Sequence, residues 1–205
     1  MSLFKKEVVQ RQIDPNKPND FIWRIPNETH SKTNKVSAIM VRDFERAIFL
    51  KDGLFQNVLP PGKHAVPKNT GEIIWIDVSP KTKPFGIPVY QGPVTADGYQ
   101  FGLSGTLTLR IMYTRGDVRN FLLEMVCGQT TFDSEQLVDW LRKGPLVSVL
   151  RDIFKKLTIE QYRLLDREEF MNRNVKPRLV EELSKYGVDL VSIDITGMTP
   201  PKKIE

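Results

Sequence analysis

Residues 36–67 read V-S-A-I-M-V-R-D-F-E-R-A-I-F-L-K-D-G-L-F-Q-N-V-L-P-P-G-K-H-A-V-P, and this stretch sets the architecture of the chain. Two β-rich runs, 38–41 and 47–50, are separated by the polar pair Arg42-Asp43. Asp52-Gly53 then turns the chain back into Leu54-Phe55-Gln56-Asn57-Val58. Asp-Gly between apolar runs signals a hairpin, because a primed turn needs φ > 0 and Gly accepts it without strain. Pro60-Pro61-Gly62 ends this meander stiffly. By composition alone the stretch is a small antiparallel sheet. Arg42-Asp43 and Glu45-Arg46 read as cross-strand ion pairs on its wet face, each contributing at most ~1 kcal/mol.

Upstream, Phe21-Ile22-Trp23-Arg24-Ile25 alternates, with Phe21, Trp23 and Ile25 on one side, and predicts a strand. Residues 14–19 carry two prolines and no periodicity, so they form a linker. Residues 1–12 suit a short amphipathic helix, with Phe4, Val8 and Val9 on one face and Lys5, Lys6 and Arg11 flanking it. Downstream, residues 72–78 are another strand. Residues 79–88 hold three prolines and read as an irregular connection or an edge. Asp97-Gly98 is a second hairpin turn between residues 88–95 and 99–113. Within the latter run, Leu107, Leu109 and Ile111 alternate with Thr108 and Arg110, which is the pattern of a half-buried strand.

Past Thr114 the period changes to that of helices. Asp117 is a candidate cap for a helix through Val126, with Val118, Phe121, Leu122 and Met125 on one face. Asp133-Ser134-Glu135-Gln136 opens a helix carrying Leu137, Trp140 and Leu141. Gly144-Pro145 breaks it, and Pro145 suits the first position of the next. Thr158-x-x-Gln161 and Asp166-x-x-Glu169 are capping boxes. Pro177 lies inside the last helical span and predicts a kink or break just before it. Gly187 closes that helix in a left-handed cap, and residues 188–195 return as a strand. The order is β meander, helices, one returning strand: an α+β domain.

Within this order, Val41-Arg42-x-x-Glu45-x-Ala47-Ile48-Phe49 and Pro61-Gly62-x-His64 resemble the opening of the SPFH (Band 7) domain of stomatin, prohibitin and flotillin. The resemblance continues through Gly116–Phe121, Val149-Leu150-Arg151-Asp152-Ile153 and the 183–195 stretch, covering residues ~20–195 in the family's order. It implies an antiparallel meander followed by helices and a returning C-terminal strand. The strand around Phe21–Pro26 and the Asp52-Gly53 turn resemble the soluble branch of bacteria and archaea, which lacks a membrane anchor. The domain is expected at residues 20–197, behind an N-terminal segment of residues 1–19. Residues 198–205 are expected to begin a helical tail that is truncated or absent. Family members run on into a coiled coil that drives assembly, so the ending at Pro200-Pro201 leads to the expectation of a monomer or weak small oligomer for this chain.

At 205 residues, 40% apolar and 27% charged, the chain has length for a real core and a composition that suits a globular protein. No run approaches the ~18 apolar residues of a spanning helix, and no apolar segment of a secretory leader follows Met1. One cysteine, Cys127, excludes an internal disulfide framework and suits a reducing cytosol. A net charge of +5 allows an anionic partner. His30 and His64 sit in separate loops without a second ligand at metal-site spacing, and no cofactor is called for. Gly102-Leu103-Ser104-Gly105 is no phosphate loop; it reads as a bulge or tight bend in a strand. Asp117, Asp133, Asp166 and Glu169 already have capping roles, and no pair of carboxylates stands out as acid and base. Trp23, Trp75, Trp140, Phe85 and Tyr90 read as packing aromatics.

The resemblance implies a non-enzymatic scaffold that self-associates at the cytosolic face of a membrane. There it would organise microdomains or restrain a partner membrane protein or protease. Leu3 and Phe4 beside Lys5 and Lys6 are the candidate contacts to an anionic membrane surface. The alternative is a nucleic-acid-binding module, resting on a sequence pI near 9.3; the modest, dispersed charge excess disfavours it. No catalytic or metal-binding residues are assigned.

Overall fold

The computed structural model describes residues 7–13, 15, 20–27 and 30–204. They divide into two compact units, one drawn from residues 1–79 and 111–133, the other from 80–110 and 134–205.

In the first unit, Asp52 and Gly53 take φ of 52° and 76°, as a primed hairpin turn requires. They join β4 (Glu45–Lys51) to β5 (Leu54–Leu59). β4 also pairs antiparallel with β7 (Thr70–Asp77), and β7 with β2 (Ile22–Ile25), giving the strand order β2-β7-β4-β5. A second sheet runs β1-β3-β6, from Glu7–Gln10, Val36–Val41 and Gly62–Ala65. The two sheets share a core of Val9, Ile25, Val36, Ile39, Val41, Ala47, Phe49, Ile73 and Trp75. The period-2 rule puts Ile48, Ile74, Ile76 and Ile22 on the opposite face of the four-stranded sheet, following the register Ile48↔Ile74 and Ile22↔Ile76. α1 (Arg115–Asn120) continues without a break into a π-helical segment, Phe121–Val126, which ends at a left-handed Cys127.

Three expectations are corrected in this unit. Residues 7–10 are a strand, not part of a helix: β1 lies parallel to β3 and buries Val9. Val8 and Val9 satisfy either period, and β-branched residues beside an open strand settle it as β. Gly62 does not end the meander, since residues 62–65 fold back onto β3 as β6. Finally, Thr114 rather than Asp117 caps α1, accepting from the Asp117 N–H with its hydroxyl oxygen.

In the second unit, β8 (Lys81–Ile87) and β11 (Val188–Met198) flank β10 (Leu103–Ile111). The returning strand therefore joins this sheet rather than the meander. Residues 81–87 form a regular strand despite Pro84, which an edge tolerates. The expected long strand at 99–113 is broken at Phe101-Gly102 into β9 (Tyr99–Gln100) and β10. Gly105 is neither bulge nor bend. It is paired with Phe85, and a Cβ there would lie 1.9 Å from the Asp194 carbonyl oxygen, so it permits close approach of β11. Lys202–Lys203 form β12 on β9 instead of opening a helix. Pro201 behind Pro200 holds the chain extended before it.

The helices are α2 (Ser134–Lys143), α3 (Pro145–Phe154), α4 (Ile159–Leu164), α5 (Arg167–Phe170) and α6 (Lys176–Ser184). Pro145 starts α3, Thr158 and Gln161 form the capping box, Asp166 caps α5, and Gly187 takes φ of 70°. The irregularity expected before Pro177 is a π-helical turn, Met171–Val175. Proline supplies no N–H and crowds the carbonyl four residues back, so the wider turn relieves both. Phe101, Phe154, Tyr162 and Phe170 pack with ring centroids 4.8–5.8 Å apart. The architecture is α+β, as the order of elements predicts.

Candidate interaction surface

The turn between β3 and β4 carries the most concentrated charge in the first unit. Glu45 is fully buried. Its Oε2 accepts the Arg42 backbone N–H at 3.1 Å, and its Oε1 lies 3.2 Å from the Arg42 guanidinium and 3.6 Å from Arg11 Nη1. Arg11 Nη1 also lies 3.3 Å from Asp77, and its Nη2 donates to the Asp20 carbonyl. This corrects the expectation of a solvated surface pair. Glu45 is the central anion of a buried network that fastens the segment after β1 to the sheet. Burying such a carboxylate is tolerable only because cations meet it. The charges of the cluster are met within it, although Arg11 Nη1 has ion-pair distances only and no hydrogen bond among the described residues, and its role is structural.

One unsatisfied surface lies at β5. Among the described residues β5 pairs only with β4, so its other edge is open. Leu54, Gln56 and Val58, with Ile48 of β4, line one side of a groove of about 630 Å³. Arg115 and Arg119 of α1 and Leu123 of the π-helical segment line the other. Leu54 is 69% exposed and Leu123 45%. Arg115 and Arg119 stand four residues apart and are both exposed. Neither forms an ion pair among the described residues, while Arg110, Arg142, Arg163 and Arg173 all do. Like charges at this spacing repel, and a cation at the first helical position opposes the helix dipole. The groove thus joins open backbone, exposed leucines and two uncompensated guanidiniums.

A second groove, about 440 Å³, lies in the other unit between β8 and α2. Its charges are already matched: Lys83 lies 3.3 Å from Glu135, and Asp139 takes both Arg142 and Lys143. Hydrogen bonds from Lys143 and Arg142 hold the Asp139 carboxyl below its ordinary range.

Leu3, Phe4, Lys5 and Lys6, the candidate membrane contacts, lie outside the described residues. Lys6 directly precedes β1. His64 bonds the Pro60 carbonyl through Nε2, and His30 lies 3.7 Å from Glu7. Among the described residues no group of three or more His, Cys, Asp or Glu could hold a metal. Cys127 is exposed, its thiol donating to the Leu123 and Glu124 carbonyls. Trp75 is buried, donating to the Met40 carbonyl, with Trp23 edge-on at 5.0 Å. Trp140 packs on Tyr186, and Tyr90 alone of the singled-out aromatics stands largely exposed. Sequence reasoning missed Arg115, Arg119, Leu54 and Leu123 as a group. The available signal was Arg-x-x-x-Arg-x-x-x-Leu on a helix with no acid at the matching spacing.

No described helix is long and apolar enough to cross a membrane. A model of the SPFH domain / Band 7 family matches residues 39–205. No curated protein matches the chain.

Proposed function

The chain belongs to the SPFH/Band 7 family, generally membrane-associated scaffolds, and from that premise we propose that it is a non-enzymatic scaffold which self-associates at the cytosolic face of a membrane. Its role is to organise microdomains or to restrain a partner membrane protein or protease. The observation that carries this reading is the family match across 39–205. The open edge of β5 supports a protein-binding surface, since an unpaired strand is a ready template for another chain. Leu3, Phe4, Lys5 and Lys6 support the membrane contact. They sit immediately before a strand held in the sheet by Val9, so lipid bound there would hold the domain close to the surface.

Cys127 is the sole cysteine and is exposed, so it takes a donor or acceptor dye without other changes. Mixed donor and acceptor copies should show energy transfer on vesicles containing phosphatidylserine that exceeds the value for random surface density. Transfer no higher than that random value would overturn self-association at the membrane.

A further inference from the structure

The groove at β5 offers three things to one ligand. A strand edge supplies a backbone donor and acceptor at every second residue, a repeat of about 6.6 Å. Leu54, Val58 and Leu123 supply apolar walls. Arg115 and Arg119 supply two cations that form no ion pair among the described residues. The acid nearest them in sequence, Asp117, already accepts from the Thr114 hydroxyl. Residues four apart on a helix are separated by about 6 Å along its axis. Alternate side chains of a strand share a face and are separated by about 6.6 Å. The rise between the two helix positions therefore matches the step between alternate positions of an extended chain, and each guanidinium is suited to the forked hydrogen bonding that Arg gives a carboxylate.

We propose that this groove binds an extended acidic segment of a partner protein, which adds as a strand to the open edge of β5 and sets two carboxylates, two residues apart, on Arg115 and Arg119. The residues that alternate with the acids fall on the opposite face of the added strand, away from the arginines, where apolar side chains continue that face of the sheet. This names the partner chemistry of the scaffold proposed above and rests on that reading for the existence of a partner. Cation placement against local helix preference has its explanation here: two repelling arginines on one helical face become favourable when anions arrive between them. Strand addition gives affinity through the backbone and specificity through alternate side chains.

The probe is a fluorescein-labelled nonapeptide of alternating valine and glutamate, with a valine–lysine counterpart as control. Fluorescence anisotropy on the full chain, without lipid, should show saturable binding of the acidic peptide that weakens as salt rises, and none of the basic one. Arg115→Ala with Arg119→Ala should weaken it at least about tenfold, because charged hydrogen bonds are lost. Both side chains are exposed and their mutual repulsion is removed, so the variant should match or slightly exceed the wild-type melting temperature. Hydrogen exchange should slow on binding at the amides of β5 that do not pair with β4. Unchanged affinity in the double variant, or binding without protection in β5, would overturn the proposal. So would a double variant that leaves peptide binding intact but loses anionic vesicles, which would assign the arginines to lipid. A double variant whose only change is its sedimentation would assign the groove to a second copy of this chain. Peptide binding with no membrane binding would sink the membrane reading and leave this one standing.

Discussion

Glu45 shows how far a single residue's role can move from its local sequence. Flanked by Arg42, Asp43 and Arg46, it reads as one member of a charged surface turn. In the fold it is fully buried, and Arg11, thirty-four positions earlier, supplies one of its two cations. Removing one partner of a buried ion pair leaves the other uncompensated and costs roughly 3–5 kcal/mol. Glu45→Ala should therefore lower unfolding stability by about that amount in urea titrations, while Asp43→Ala, exposed two residues away, should stay within about 0.5 kcal/mol. Equal effects would contradict the buried network. Tyr162 makes the converse case. It is 1% exposed, and its hydroxyl has no hydrogen-bond partner among the described residues. Tyr162→Phe should then leave stability unchanged or raise it by about 1 kcal/mol. Burial pushes the Tyr162 pKa up from its ordinary 10.0, with Arg167 opposing. A raised folded-state pKa means the folded state keeps a proton the unfolded state releases. That contribution is intact below pH 10 and is lost as pH climbs through the folded pKa. The phenylalanine variant should lose less stability than wild type in that alkaline range; identical pH profiles would show that the hydroxyl is not buried.

At the scale of elements, local chemistry made much of the fold legible. Asp52-Gly53, Gly144-Pro145, Thr158-x-x-Gln161 and Gly187 each carry a backbone requirement that their own neighbours satisfy, and each is found where it was expected. What was not legible depended on distant pairing. β1 is a strand because β3 lies beside it, β6 because it folds back onto β3, and β12 because β9 is available. The groove at β5 belongs to the same class: nothing in residues 54–58 says that Arg115 and Arg119 will face them. Gly105 was noticed in sequence but misread, because only the position of β11 shows why a side chain is excluded. Gly105→Ala should force β10 from β11 and cost roughly 2–3 kcal/mol, the scale of overpacking in a tight core. Gly86→Ala, on the adjacent edge strand with nothing within 4 Å of its Cβ position, should be neutral or mildly stabilising. Thermal melts of the pair check this directly, and a Gly105→Ala protein as stable as Gly86→Ala would show that β11 does not approach so closely.

For the whole molecule, the family is one of generally membrane-associated scaffolds, and the surface features divide the labour of the proposed role. A basic, apolar N-terminus is proposed for lipid, the open edge of β5 for protein. An anchor as short as Leu3–Lys6 holds a membrane only marginally and gains from several copies acting together. Each lysine near an anionic surface contributes about 1 kcal/mol, so the two lysines lost in Lys5→Glu with Lys6→Glu should by themselves weaken binding by about 2 kcal/mol per chain. Flotation of the protein with vesicles rich in phosphatidylserine, at low salt, decides whether it binds a membrane. The wild-type chain should rise with the vesicles, and the double variant should stay largely at the bottom of the gradient. A wild-type chain that remains at the bottom would contradict the account of a membrane scaffold.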